Sequence, residues 1–170
     1  MTNLVVLMSF YGSHHRKEVT KITHFFGVPC IIVALQILLS WPRFSFIFSS
    51  SISLAWIVAA ILLIYYLFLD VYLALVTAAF LLLLTYLAQT IAHDKFNLVS
   101  FGVFCILFIM GWIAQFIGHY FEGKRPAFLD NIFQVVVAPI FLVAELCFAL
   151  GFRRDLQEQV RVLAANIETR

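Results

Sequence analysis

The stretch from Ile52 to Ala92 runs for 41 residues with a single charge, Asp70. As one straight helix it would extend about 61 Å, about twice the hydrocarbon thickness of a bilayer. Two antiparallel apolar helices joined by a tight turn at Asp70 fit better, with the carboxylate in the headgroup region as a solvated turn residue. The rest of the chain shares this character. Of its 170 residues, 64% are hydrophobic and 12% charged, against about 45–50% and about 25% in soluble domains. A chain this short leaves too much of itself at the surface to hide so much apolar area from water. Lipid is the solvent that suits it. The net charge of +2, with no basic run interleaved with aromatics, excludes nucleic acid as a partner.

Three further apolar segments stand at Phe25–Trp41, Phe101–Ile117 and Ile132–Leu150. With Ile52–Leu69 and Val71–Ala92 they predict an all-α polytopic transmembrane helix bundle of four to five spans, residues 1–170 forming one integral membrane domain. The last segment is the doubtful one. It carries Pro139 and Glu145, and an ionised carboxylate at the bilayer centre costs about 2.5–3.5 kcal/mol, so a re-entrant or protein-covered helix is the alternative to a crossing. Loop charges agree. Arg16, Lys17 and Lys21, with Lys124 and Arg125, place the N-terminus and the Gly118–Asn131 loop on the cytoplasmic side. A full fifth crossing would put Arg153 and Arg154 outside, against that rule. In the tail, Leu156, Val160, Leu163 and Ile167 share one face of an amphipathic helix that lies on the membrane or on the bundle. Cys30, Cys105 and Cys147 lack metal or redox spacing and read as small apolar fillers. The Leu4–Met8 stretch is too short, and lacks the basic flank, for a cleavable signal peptide.

Chemistry rests on the histidines. His14, His15, His24, His93 and His119 all fall near span ends, which favours a site at the membrane surface over a haem held within facing helices. Gln115, His119 and Glu122 lie at i, i+4 and i+7, one face of one helix. His and Glu three apart is a spacing with which helical bundles hold iron. Two His and one carboxylate on one face of iron(II) leave positions for O₂ and substrate. The plainer reading is an interfacial polar cap on a span. His15 and His24 are nine residues apart, about 900° on a continuous helix, which sets the rings on opposite faces. No Gly or Pro in Arg16–Thr23 marks a bend, so spacing alone does not pair them.

At these residues the sequence resembles the 2-hydroxy fatty acid dioxygenases, small membrane proteins whose members include an enzyme of phytosphingosine breakdown. The N-terminal signature is Tyr11, His15, His24, Gly27 and Pro29; the C-terminal one is Trp112-x-x-Gln115-Phe-Ile-Gly-His119, Glu122, Lys124-Arg125-Pro126-Ala, Asp130-Asn131, Ala138-Pro139 and Glu145. Lys17 and Thr20 stand where family members usually carry Asn. The resemblance implies Fe(2+)-dependent α-oxidation of a long-chain 2-hydroxy fatty acid by O₂, giving an acid one carbon shorter. It implies His15, His24 and His119 as iron ligands, with Glu122 as a ligand or its supporting partner and His119 and Glu122 as the catalytic pair. Gln115, Lys124, Arg125 and Asn131 are the implied substrate contacts. The implied location is a multi-pass protein of the endoplasmic reticulum if eukaryotic, or of the inner membrane if bacterial. Di-iron hydroxylases and desaturases need more histidines than the five present. The alternative from a different class is a non-catalytic membrane scaffold or small transporter.

Overall fold

The computed structural model describes residues 3–45, 51–126, 129 and 133–168. Seven helices account for most of these residues: α1 (Asn3–Ser13), α2 (Glu18–Ser40), α3 (Leu54–Leu69), α4 (Val71–Ala92), α5 (Leu98–Glu122), α6 (Gln134–Ala149) and α7 (Arg154–Glu168). The link between α2 and α3 carries a short antiparallel pair, β1 (Arg43–Ser45) and β2 (Ser51–Ser53), with Phe44 opposite Ile52. Polar residues on both sides of that pair suit a turn outside the apolar layer.

Among the described residues, three helices are long and apolar enough to cross a membrane: α2, α4 and α5. With the bent pair α6–α7 counted as one broken span, length and composition allow up to four, the lower end of the expected four to five. The Ile52–Leu69 segment gives up its first residues to β2, and the 16-residue helix that remains spans about 24 Å, short of the roughly 30 Å core. It still folds back along α4 as expected, since Ser53 at its start donates to Gln89 near the end of α4 at 2.7 Å. Asp70 sits at the turn. Its carboxylate caps α4 by accepting from the Leu73 amide at 2.9 Å, satisfying a donor that a helix start leaves open. It also pairs with Arg153. Large side chains such as Leu75, Leu83 and Tyr86 on α4 and Ile106, Ile109 and Met110 on α5 stand exposed, an apolar belt of the extent that lipid covers.

Helix α6 is the protein-covered case. Val137, Ile140, Phe141, Val143, Ala144, Cys147 and Phe148 are buried among α1, α3 and α4. Its first turn meets Tyr66, whose hydroxyl donates to the Val136 carbonyl at 2.6 Å. Arg153, four residues past its end, meets Asp70. Tyr66 and Asp70 are one turn apart on the same end of the α3–α4 pair, so α6 lies across that end instead of traversing the bundle. The chain bends by 117° between α6 and α7. Arg153 and Arg154 therefore stay on the face that holds Asp70, and the charge conflict of a fifth crossing disappears. Glu145 is paired with Lys21 at 2.7 Å, which removes its need for a place in hydrocarbon. The tail helix uses its predicted face: Leu156 and Val160 are buried with Leu4, Val5 and Met8 of α1, and Ser9 donates to the Val160 carbonyl at 3.1 Å. The Ile167 side chain lies outside the described residues.

The α2–α5 contact is the closest in the bundle, and glycines make it so. A Cβ on Gly111 would stand 2.6 Å from Ile31 Cγ1 and 3.0 Å from the Gly27 carbonyl, and one on Gly27 would stand 2.9 Å from the Gly111 carbonyl. Small residues of this kind let membrane helices approach backbone to backbone. Gly111→Leu is expected to destabilise the protein by about 1–3 kcal/mol by overpacking this seam, read as earlier unfolding in a denaturing-detergent titration. Gly102→Leu, on the same helix with nothing within 4 Å of its Cβ position, is expected to be neutral or slightly stabilising.

Candidate metal centre

Close approach of α2 and α5 brings the start of one beside the end of the other, and three histidines meet there. His15, His24 and His119 are all buried, and one ring nitrogen or ligand atom from each lies within 4.8 Å of the others. Ring centroids are separated by 4.3 Å for His15 and His24, 5.1 Å for His15 and His119, and 5.0 Å for His24 and His119. The expectation that His15 and His24 point apart fails because the helix between them is not continuous. Helix α1 ends at Ser13 and α2 begins at Glu18, so the chain turns through residues 14–17 and swings His15 back over the first turns of α2.

The ring orientations are fixed by the backbone. His15 Nδ1 donates to the Tyr11 carbonyl at 2.6 Å, and His24 Nδ1 donates to the Thr20 carbonyl at 2.8 Å. A carbonyl only accepts, so both protons sit on Nδ1 and both Nε2 atoms carry lone pairs. Those two Nε2 atoms face each other at 2.9 Å. Two acceptors at that separation repel unless a cation or a proton lies between them. Nitrogen ligands about 2.1 Å from one ion, at an angle near 90°, have about this spacing. Backbone-fixed Nδ1–H groups are also what orient histidine ligands in metal sites. His119 adds a buried Nδ1 with no hydrogen-bond partner among the described residues. Burial, with the neighbouring His24, pushes the His15 pKa well below its ordinary value, so that ring stays neutral and ready to donate at neutral pH. The donor set fits a transition metal that accepts imidazole.

Glu122 does not join this group. Its oxygens accept from the Arg16 amide at 3.1 Å, the Lys17 amide at 3.0 Å and the Thr20 hydroxyl at 2.6 Å. A carboxylate at the open amides of a helix start is well placed, and here it pins the α1–α2 turn to the end of α5. Lys17 and Thr20, the two positions where the resemblance expects Asn, belong to the same clamp: Lys17 Nζ donates to the Phe121 carbonyl at 2.6 Å. Lys124 closes it from the other side, donating to the Ser13 carbonyl at 2.9 Å. Arg125 is exposed. Asn131 lies outside the described residues. His14 is held by the Phe10 carbonyl, and His93 ends α4 at the far end of the bundle, exposed and with a positive φ of 56°; neither is grouped with the three. Tyr11, stacked on His15 at 4.1 Å, has its hydroxyl pKa raised by burial and acts as a wall.

A cavity of about 300 Å³ opens at the histidines and runs between α2, α5 and α6. Val28, Ile31, Ile32 and Leu35 line it along α2, with Phe108 and Trp112 from α5. From His24 to Leu35 the rise along α2 is about 16 Å. This is a long apolar slot with polar groups at one end, the form of a site for a hydrocarbon chain with a polar head. Gln115 is at that end, buried, with its Nε2 unpartnered among the described residues. Gln134 lines the same cavity; in the sequence it is one polar residue inside the apolar Ile132–Leu150 run, with no spacing to link it to the histidines.

The family model described as 2-hydroxy-palmitic acid dioxygenase Mpo1-like matches residues 1–150. The chain is 33% identical over 152 residues to the 2-hydroxy-palmitic acid dioxygenase MPO1 of Saccharomyces cerevisiae, covering 88% of this chain and 83% of that protein. No solved structure matches the chain.

Proposed function

The chain belongs to the Mpo1-like 2-hydroxy-palmitic acid dioxygenase family, and we propose that it is an iron(II)-dependent membrane oxygenase that shortens long-chain 2-hydroxy fatty acids by one carbon with O₂. The observation that carries this reading is the pair of facing Nε2 lone pairs of His15 and His24 at 2.9 Å, with the orphaned His119 Nδ1 beside them at the mouth of an apolar slot. His15, His24 and His119 would hold the iron. Iron(II) held there would supply the redox chemistry that O₂ requires.

The chain's own residues do the rest. Val28, Ile31, Ile32, Leu35, Phe108 and Trp112 take the acyl tail and keep water from it. Gln115 Nε2 donates to a carboxylate oxygen of the head group and so sets how far the tail penetrates. Tyr11 and the two backbone carbonyls keep His15 and His24 from turning. Glu122 and Lys124 hold the two helix ends that carry the ligands in register. Arg125, at the exposed rim, attracts the anionic head group to the opening. The substrate enters from the bilayer, where such acids partition, and the three apolar helices keep the slot beside it.

The test is direct. Protein reconstituted in lipid nanodiscs with iron(II) is expected to consume O₂ on addition of 2-hydroxyhexadecanoic acid and to yield pentadecanoic acid. Hexadecanoic acid should support neither. Absence of both in folded, iron-loaded protein would sink the reading.

A further inference from the structure

We propose that Gln134 is the residue that recognises the substrate's 2-hydroxyl group; the inference rests on the dioxygenase reading and deepens it. Gln134 is 1% exposed, and its Oε1 makes no hydrogen bond to any described residue. It lines the same cavity as His15, His24, His119 and Gln115. An amide oxygen is an acceptor with two lone pairs, and leaving one buried and unsatisfied is costly. The polar side chains that share the cavity, Tyr11, His15, His24, Gln115 and His119, leave it unbonded, and a bound ligand can supply the donor.

The chemistry of the ligand then decides. An ionised fatty acid presents a carboxylate, which only accepts, and a hydrocarbon tail, which does neither. The one donor a 2-hydroxy acid adds is its hydroxyl. Gln115 and Gln134 therefore complement its head group in opposite senses. The Gln115 Nε2 donates to the carboxylate, and the Gln134 Oε1 accepts from the 2-hydroxyl. A hydroxyl uses its proton for Gln134 and keeps its oxygen lone pairs, so this contact does not compete with a metal for the same atoms. The position is also held still. Two residues on, the Val136 carbonyl is fixed by the Tyr66 hydroxyl at 2.6 Å, and α6 is buried along most of its length. An acid without the hydroxyl binds with Oε1 stranded. Sites built to bond a hydroxyl reject analogues lacking it far more strongly than apolar sites reject an extra methylene.

The experiment reads binding, on metal-free protein in nanodiscs, by displacement of a fluorescent fatty acid. Wild type is expected to bind 2-hydroxyhexadecanoic acid about 10- to 100-fold more tightly than hexadecanoic acid, the range that one stranded buried acceptor implies. Gln134→Met keeps the length and removes the acceptor, and is expected to bring the ratio to within about 3-fold, mostly by improving the unhydroxylated acid. Should that variant bind neither acid, Gln134→Asn, which withdraws the acceptor by one methylene, carries the same test, with a fall in the ratio expected. A wild-type ratio near one, or a ratio unchanged in the variant that binds, would overturn the assignment. Turnover confined to the 2-hydroxy acid alongside such a result would remove Gln134 from the head-group site and leave the dioxygenase reading standing. No O₂ uptake by an iron-loaded wild type that binds the acid would remove that reading instead.

Discussion

His24→Ala is expected to abolish both metal retention and turnover while leaving the bundle folded. His24 Nε2 lies 2.9 Å from His15 Nε2, and its ring is held by the Thr20 carbonyl. Taking it away leaves two imidazoles, too few to hold a labile divalent ion against the buffer, and no other described His, Cys, Asp or Glu belongs to the group. The side chain is buried at the edge of a cavity, so its loss enlarges existing space instead of opening a void in a tight core. Metal content after anaerobic desalting should fall to background, and O₂ uptake with a 2-hydroxy acid should fall at least about 10³-fold, toward the uncatalysed rate. His93→Ala, at an exposed position at the opposite end, should change neither. Retention of metal by the His24 variant would show that the ligands lie elsewhere.

Glu122 provides the second large effect, and its two variants separate two roles. Three donors converge on its carboxylate, from the Arg16 and Lys17 amides and the Thr20 hydroxyl. Glu122→Ala strands all three and frees the turn that carries His15, so metal affinity should drop about 10- to 100-fold, as for other losses of ligand-supporting contacts. Glu122→Gln keeps an acceptor oxygen at the helix start, and most of the affinity should survive. A carboxylate bound directly to the ion would behave differently, with the glutamine variant losing metal as completely as the His24 variant. Isothermal titration of each variant with a divalent ion distinguishes the two patterns.

Much of this architecture was legible in the order of the residues. Asp70 marked a turn between two apolar helices because a lone charge in a 41-residue apolar run has few other places to go, and the structure uses it as the cap of α4. Pro139, Glu145 and the misplaced charge of Arg153 and Arg154 set a re-entrant or protein-covered helix beside a fifth crossing as the two readings of α6, and its side chains are buried by protein. What periodicity missed were features set by tertiary contact. The turn at residues 14–17 has no Gly or Pro to announce it, yet it decides that His15 and His24 face each other; what stabilises it is Glu122, over a hundred residues away. The role of Glu122 was hidden for the same reason. On a helical wheel it shares a face with Gln115 and His119, and only the start of α2, brought alongside by Gly27 and Gly111, claims its oxygens. The 16-residue length of α3 was obscured because Ile52 and Ser53 are as compatible with an apolar helix as with the strand they form.

The site rests on the claim that three histidines from α2, α5 and the turn before α2 hold one metal ion. The most direct test is an anaerobic titration of metal-free, folded protein with iron(II), reading stoichiometry and nitrogen coordination by X-ray absorption. One ion per chain with histidine nitrogen ligation, lost in the His24→Ala protein, is the expected result. No binding, two ions per chain, or one ion bound equally well without His24 would contradict it.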